Sequence, residues 1–478
     1  MLTLPRRWLA LIGVSLATFM TFLDNNVVNV ALPSIQRDLG LSISALEWVV
    51  SSYILVFAGL MLVGGRLADL FGRRRMFLSG LAVFTFASLL AGLAGDETML
   101  IGARVLQGVG AAAAIPPTLA IIAGLFPDES ERTKAVGVWS AIGALALALG
   151  PFTGGVISQH MDWGWIFLIN VPFGIATFAL TALTLDETRD QVRPRLDLPG
   201  LVTSTVALFA ITYALIEGQG KGWTSTVILS CFALGAVALA AFIIVEMRSA
   251  DPMVDMSMFR SRVFSGGVVT MMLWGFGVMG IYFFTAMYLQ NVLALSPTMA
   301  GAAFIPMALS MVAISPIAPL AARRLGTNVT VALGVAGIVG ALLDISTVGE
   351  GGRFIDLVLP FVAFGVGSGL LMAPLNTAVM GQMPAASAGA AGAVINASRE
   401  ISALLGVTVV GAILTTRAAA SAHDGAAPLT AFLDGYRFAI IIAAAIVAVG
   451  IPIALFTLRP NRHAAPQVIV EEPIAVPL

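Results

Sequence analysis

The chain has 478 residues, of which 58% are hydrophobic and 11% charged, with a mean hydropathy of +0.96. A soluble fold carries about 25% charged residues, so too little polar surface is left here to face water, which excludes soluble enzymes, nucleic-acid binders and disordered regulators. The net charge of −1 gives no electrostatic footprint for nucleic acid, and the basic residues are 23 Arg and 2 Lys (Lys134 and Lys221). One cysteine, Cys231, excludes an intramolecular disulfide and a cysteine metal cage, and His160, His423 and His463 are too scattered for a metal site.

A bilayer-spanning helix needs about 20 mainly apolar residues. Fourteen runs meet that need, at 8–32, 45–65, 76–95, 98–125, 135–157, 164–185, 198–217, 226–246, 264–290, 298–320, 328–348, 354–380, 393–416 and 437–458. The first run has no cleavage site and reads as a retained helix. With both termini in the cytoplasm, 19 of the 25 basic residues fall in cytoplasmic loops and five outside. The positive-inside rule then fixes the topology. Gly108, Gly110, Pro117, Gly124 and Pro127 recur 257 residues later as Gly365, Gly367, Pro374, Gly381 and Pro384. An offset spanning eight helices keeps the orientation, so the fold expected is all-α integral membrane: two parallel six-helix bundles with two inserted central helices. The implied divisions are 1–185, 186–262 and 263–458, followed by a disordered cytoplasmic tail at 459–478.

In chain order, the first charge inside a run is Asp24, about 25 Å along its helix from Arg7 and followed by Asn25, Asn26 and Asn29. An intramembrane carboxylate costs at least ~2.5 kcal/mol and is by default functional. The loop after the second run, Gly65-Arg66-Leu67-Ala68-Asp69-Leu70-Phe71-Gly72-Arg73, permits a tight antiparallel turn. Arg104 enters from the outside at a depth comparable to Asp24, with Gln107 one turn on, and is its candidate partner. Burial and a cation act on a carboxyl's proton affinity in opposite senses, so the pair is the candidate proton-coupling site. The fifth run carries Gly143, Gly150, Pro151, Gly154 and Gly155, a set suited to a hinge or seal, with Gly154 expected to face the second half. Met272, Phe276, Met279, Phe283, Met287 and Gln290 form a helical stripe that suits a promiscuous pocket together with Asn25, Asn29 and Gln107. Asp344 reads as interfacial, Arg399 and Glu400 as a cytosolic surface pair, and the intramembrane charges as confined to the first half.

The loop Gly65–Arg73, with Gly72 and Asp69 in place, resembles the signature loop of the major facilitator superfamily, which implies a cytoplasmic latch between the halves. Together with Leu23–Pro33, Arg104-Val105-Leu106-Gln107-Gly108, the glycines of the fifth run and Ile166–Gly174, it resembles the fourteen-helix drug:proton antiporter branch. Gly164 departs from that pattern, since the branch commonly has Arg there. The tenth run lacks the acid often found in relatives that take dications. The resemblance implies a proton-coupled antiporter exporting small amphipathic organic compounds across the bacterial plasma membrane, monomeric, with no cofactor beyond the proton gradient. A dedicated exporter of one natural product is the alternative. A membrane enzyme would need a nucleophile, metal cluster or catalytic loop, and none is evident. A channel would need a continuous polar pore, and an ATP-driven pump a phosphate-binding loop.

Overall fold

The structure, a computed structural model, describes residues 5–188, 197–249, 251–349, 351–383 and 388–459. Arg189, Arg193, Arg195 and Pro384, and the tail beyond Arg459, lie outside the described residues. Among the described residues fourteen helices are long and apolar enough to cross a bilayer. They are α1 Arg6–Leu39, α2 Ile43–Phe71, α3 Arg73–Gly92, α4 Glu97–Leu125, α5 Glu129–His160, α6 Trp165–Thr184 and α7 Leu198–Lys221, then α8 Thr226–Arg248, α9 Arg262–Asn291, α10 Pro297–Ile314, α11 Thr327–Thr347, α12 Phe354–Met380, α13 Ala391–His423 and α14 Pro428–Thr457.

The helix ends follow from local chemistry. Where water returns, Ser42, Asp96 and Asp128 each accept a backbone N–H three residues on, at 3.1, 2.8 and 2.9 Å. Such caps satisfy first-turn donors that have no intrahelical acceptor. Gly72, at φ 110°, turns the chain from α2 into α3, a conformation that L side chains resist.

Helices α1–α6 pack as one bundle and α9–α14 as another, while α7 and α8 form a hairpin whose α7 touches both α2 and α13. Large exposed apolar residues such as Leu229, Leu234 and Val237 cover α8, as a lipid-facing surface requires. The glycine repeat has a geometric counterpart. A Cβ at Gly110 of α4 would stand 2.5 Å from the Phe84 nitrogen of α3, and one at Gly367 of α12 would stand 2.5 Å from the Gly334 carbonyl of α11. Likewise Gly108 presses on Tyr53 of α2, and Gly365 on Met307 of α10. The same offset therefore marks the same close helix approaches in both bundles.

The bundles meet most tightly at the end away from the termini. There, a Cβ at Gly155 would collide with the Pro297 carbonyl, and one at Gly301 with the Pro151 carbonyl. Gln290 of α9 donates to the Val30 carbonyl at 2.8 Å, and the Thr298 N–H donates to Gln159 at 3.1 Å. Gly154 does not face the second half, contrary to its expected place: its Cβ would strike Val27 of α1 in the same bundle. One residue is about 100° of helix rotation, and Gly155 takes the seam instead.

Candidate functional site

Asp24 and Arg104 lie inside the first bundle, both with no solvent-accessible side chain, and their atoms Oδ2 and Nη1 are 2.5 Å apart. The second carboxylate oxygen, Oδ1, accepts from Gln107 Nε2 at 3.0 Å and from Asn170 Nδ2 at 2.8 Å. Arg104 also donates to the Val49 carbonyl at 3.0 Å and to Gln107 Oε1 at 2.8 Å. Gln107 in turn donates to Ser88 at 2.8 Å. The guanidinium carbon sits 4.4 Å from the Tyr53 ring centroid and 5.7 Å from that of Phe167. Residues of α1, α2, α3, α4 and α6 thus form one connected cluster around the pair. The arrangement satisfies a buried charge pair with charge-assisted hydrogen bonds and ring faces. Among the described residues Arg104 Nη2 has no hydrogen-bond partner.

A central cavity lies between the bundles, on the termini side of the glycine seal. Its two adjoining parts share Leu147, Trp274, Val278 and Arg399. Phe22, Asn25, Asn26 and Met279 line the first part, and Tyr282, Met307 and Phe364 the second. The wall is apolar and aromatic with few polar groups, the usual make-up of a small-molecule site.

Arg399 and Glu400 line this cavity rather than the cytosolic surface, so the second half carries intramembrane charge after all. They pair at 2.7 Å with side-chain exposures of 25% and 8%, and Arg399 sits 5.8 Å from the Phe22 ring centroid. Several other assignments need correction. Gln107 is buried in the Asp24 cluster and lines neither part of the cavity. Asn29 is buried and donates to the Asn25 carbonyl at 3.4 Å. Phe276 and Phe283 pack in the core, Met272 packs against it, and Gln290 bridges to α1. A stripe on a helix buried on every side marks no single face, and of that stripe only Met279 lines the cavity. Asn170, Ser88 and Tyr53 were missed as partners; Asn170 is an amide inside an apolar run, the one signal that pointed to it.

The glycines of α5 divide by face. A Cβ at Gly143 would stand 3.3 Å from Phe22 and one at Gly150 2.5 Å from Asn26, both on α1, whereas Pro151 and Gly155 meet α10. In the loop after α2, Asp69 accepts from Arg73 at 3.0 Å within the first bundle, and a Cβ at Gly65 would stand 3.6 Å from Pro116. The Arg74 and Arg75 N–H groups donate to Glu187, each at 3.2 Å. Arg66 reaches the Asp251 carbonyl at 3.1 Å and that of Pro252. These contacts tie the loop to the end of α6 and to the segment before α9.

Two helical bundles related by a parallel repeat, with a cavity at their interface and buried charges beside it, define a secondary transporter. The sequence model of the Major Facilitator Superfamily matches residues 14–407, and the chain belongs to that family. It is 37% identical to the puromycin resistance protein pur8 of Streptomyces alboniger, over 90% of this chain and 86% of that protein. It is 36% identical to the cephamycin export protein CmcT of Amycolatopsis lactamdurans, over 84% of each. Identity to the multidrug resistance protein Stp of Mycobacterium tuberculosis (strain CDC 1551 / Oshkosh) is 35%, over 85% and 75%. Among solved structures, an auto-inhibited POT family peptide transporter superposes with a TM-score of 0.70 at 16% identity, covering 97% of this chain and 99% of that one. A bacterial Spinster homologue in an inward-facing conformation gives 0.68 at 16% identity, covering 96% and 100%. Those two likenesses concern the fold alone.

Proposed function

We propose that the protein is a proton-coupled exporter of small amphipathic organic compounds, monomeric in the bacterial plasma membrane, with both termini cytoplasmic and neither enzymatic activity nor a cofactor. The observation that carries this reading is the Asp24–Arg104 pair at 2.5 Å, buried between helices and separate from the cavity. Its neighbours Asn25 and Asn26 do line the cavity, so a substrate there presses on the turn of α1 that holds Asp24. With the termini inside, the end closed by Gly155 and Gly301 is the external one. Separation of Asp24 from Arg104 on outward opening favours proton uptake from outside, and re-formation of the ion pair favours release inward. Proton entry moves one charge down the potential, worth about 2.3 kcal/mol per 100 mV. Resistance and export proteins at 35–37% identity support the direction of transport.

Asp24→Asn keeps shape and hydrogen bonding but cannot cycle a proton. Gradient-driven efflux from inverted vesicles is expected to vanish, while membrane insertion and ligand binding persist. Wild-type pumping by this variant with an intact proton dependence would make the carboxylate structural and refute the coupling role.

A further inference from the structure

Glu47 lies one turn into α2, at the seam with α13, and its residue is 2% exposed. Its carboxylate occupies the space that a Cβ at Gly411 would take. Oε2 has no hydrogen-bond partner, and among the described residues no cation pairs with Glu47. The charged and titratable groups around it are engaged elsewhere. On α7, Glu217 accepts from Trp48 at 3.0 Å and pairs with Lys221 at 3.3 Å, and Lys221 also donates to Tyr213. Arg104 of α4 is bound to Asp24. At the end of α1, Arg37 bonds to Pro33 and Asp38 to Trp163. Along α13, Arg417 stacks on Phe438, while Arg399 and Glu400, three turns inward, pair with each other. The arginines that begin α3 lie at the opposite end of α2.

An ionised carboxylate shut into such a seam with no cation is strongly disfavoured, and a carboxylate neighbour such as Glu217 adds to that cost. Separation of α2 from α13 at the external end returns water to the group and removes the cost. We propose that Glu47 is a second proton-binding site, which takes a proton from external water and must hold it for the external seam to close. The step is COO⁻ plus H⁺ giving COOH on closure, reversed on opening, so the proton returns to the side it came from and is not transported. External acid therefore favours the sealed state and external alkali the open one. Gly411 is the matching half of the device, because only a residue without a side chain leaves room for the carboxyl group. The proposal rests on the alternating-access reading but not on the role of Asp24.

The test is double electron–electron resonance on the full chain, with spin labels at Arg37→Cys and Asp424→Cys in a Cys231→Ser background, both sites being exposed near the sealed end. In the parent, the long-distance population should grow between pH 5 and 9, by at most about tenfold per pH unit for one titrating group. Glu47→Gln should hold the short distance throughout, and Asp24→Asn should keep the pH response. Gly411→Ala, which displaces the carboxyl group, should populate the long distance at every pH. A pH response in Glu47→Gln equal to that of the parent, or none in the parent, overturns the proposal. So does a response lost in Asp24→Asn and kept in Glu47→Gln, because the titrating group is then Asp24.

Discussion

At the scale of single residues, the Arg399–Glu400 pair places opposite charges on an otherwise apolar cavity wall. Arg399 lies near the face of Phe22, and Glu400 offers an acceptor to a substrate ammonium group. Glu400→Gln leaves Arg399 facing the cavity without its carboxylate. For matched cationic and neutral substrates, the KM of the cation should rise at least about tenfold, equivalent to ~1.4 kcal/mol, with the neutral analogue little changed. Transport kinetics in proteoliposomes separate the two, and equal changes for both substrates would assign the pair a structural role. The Asp24 cluster behaves differently, because breaking a fully buried pair from either side leaves an uncompensated charge. Asn at position 24 also leaves Arg104 unpaired, but its amide oxygen still accepts from Gln107 and Asn170, the hydrogen-bonding neighbours of Asp24.

The element that decides conformation is α5, whose glycines serve two different neighbours. Gly150 and Gly154, four residues apart, admit α1; Pro151 and Gly155, also four apart, admit α10. Neighbouring positions should therefore give opposite phenotypes. Gly155→Val should block closure of the external seal and abolish transport, with near-normal insertion and thermal stability. Gly154→Val overpacks the first bundle against Val27, a change that typically costs 1–3 kcal/mol, and should lower the melting temperature. Thermal melts together with labelling of an external cysteine distinguish the variants. The reverse assignment of phenotypes would mean that α5 is rotated from the orientation described.

For the molecule as a whole, the α7–α8 hairpin spans the line where the two bundles meet. Trp48 of α2 donates to Glu217 of α7, and Trp223, in the hairpin turn, donates to Thr416 of α13 at 3.1 Å. The hairpin is thus anchored to both halves at their external ends and flanks the Glu47 seam. With two crossings between the bundles, α9 begins on the same side as α1. Reporters fused near Glu187 and after Arg459 should read cytoplasm, and one at Lys221 should read outside. A cytoplasmic Lys221 would overturn the inserted hairpin and the parallel arrangement with it.

The sequence alone determined how many helices there are, because lipid obliges every backbone donor and acceptor to pair within its own segment, although α5 and α14 begin six and nine residues before their apolar runs. It also carried the repeat, since Gly108 and Gly110 and their counterparts Gly365 and Gly367 are needed for close helix approach. The meeting of Asp24 with Arg104 was legible because two opposite charges at one depth in a membrane cost far less together than apart. What only the tertiary structure decided was rotation about each helix axis. Composition does not say that Gly155 rather than Gly154 meets the second half, or that Gln107 turns from the cavity to Asp24. The stripe on α9 misled for the same reason: buried residues run from Phe264 to Leu289 on all its faces, so periodicity selects none. Arg399 and Glu400 read as surface because charges near the start of an apolar run usually mark its boundary, yet α13 continues inward past them. Glu47 lies near the start of α2, and its burial depends on a glycine 364 positions away. Which side chain meets which neighbour is set by contacts distant in the chain, and those exist only once the bundles are assembled.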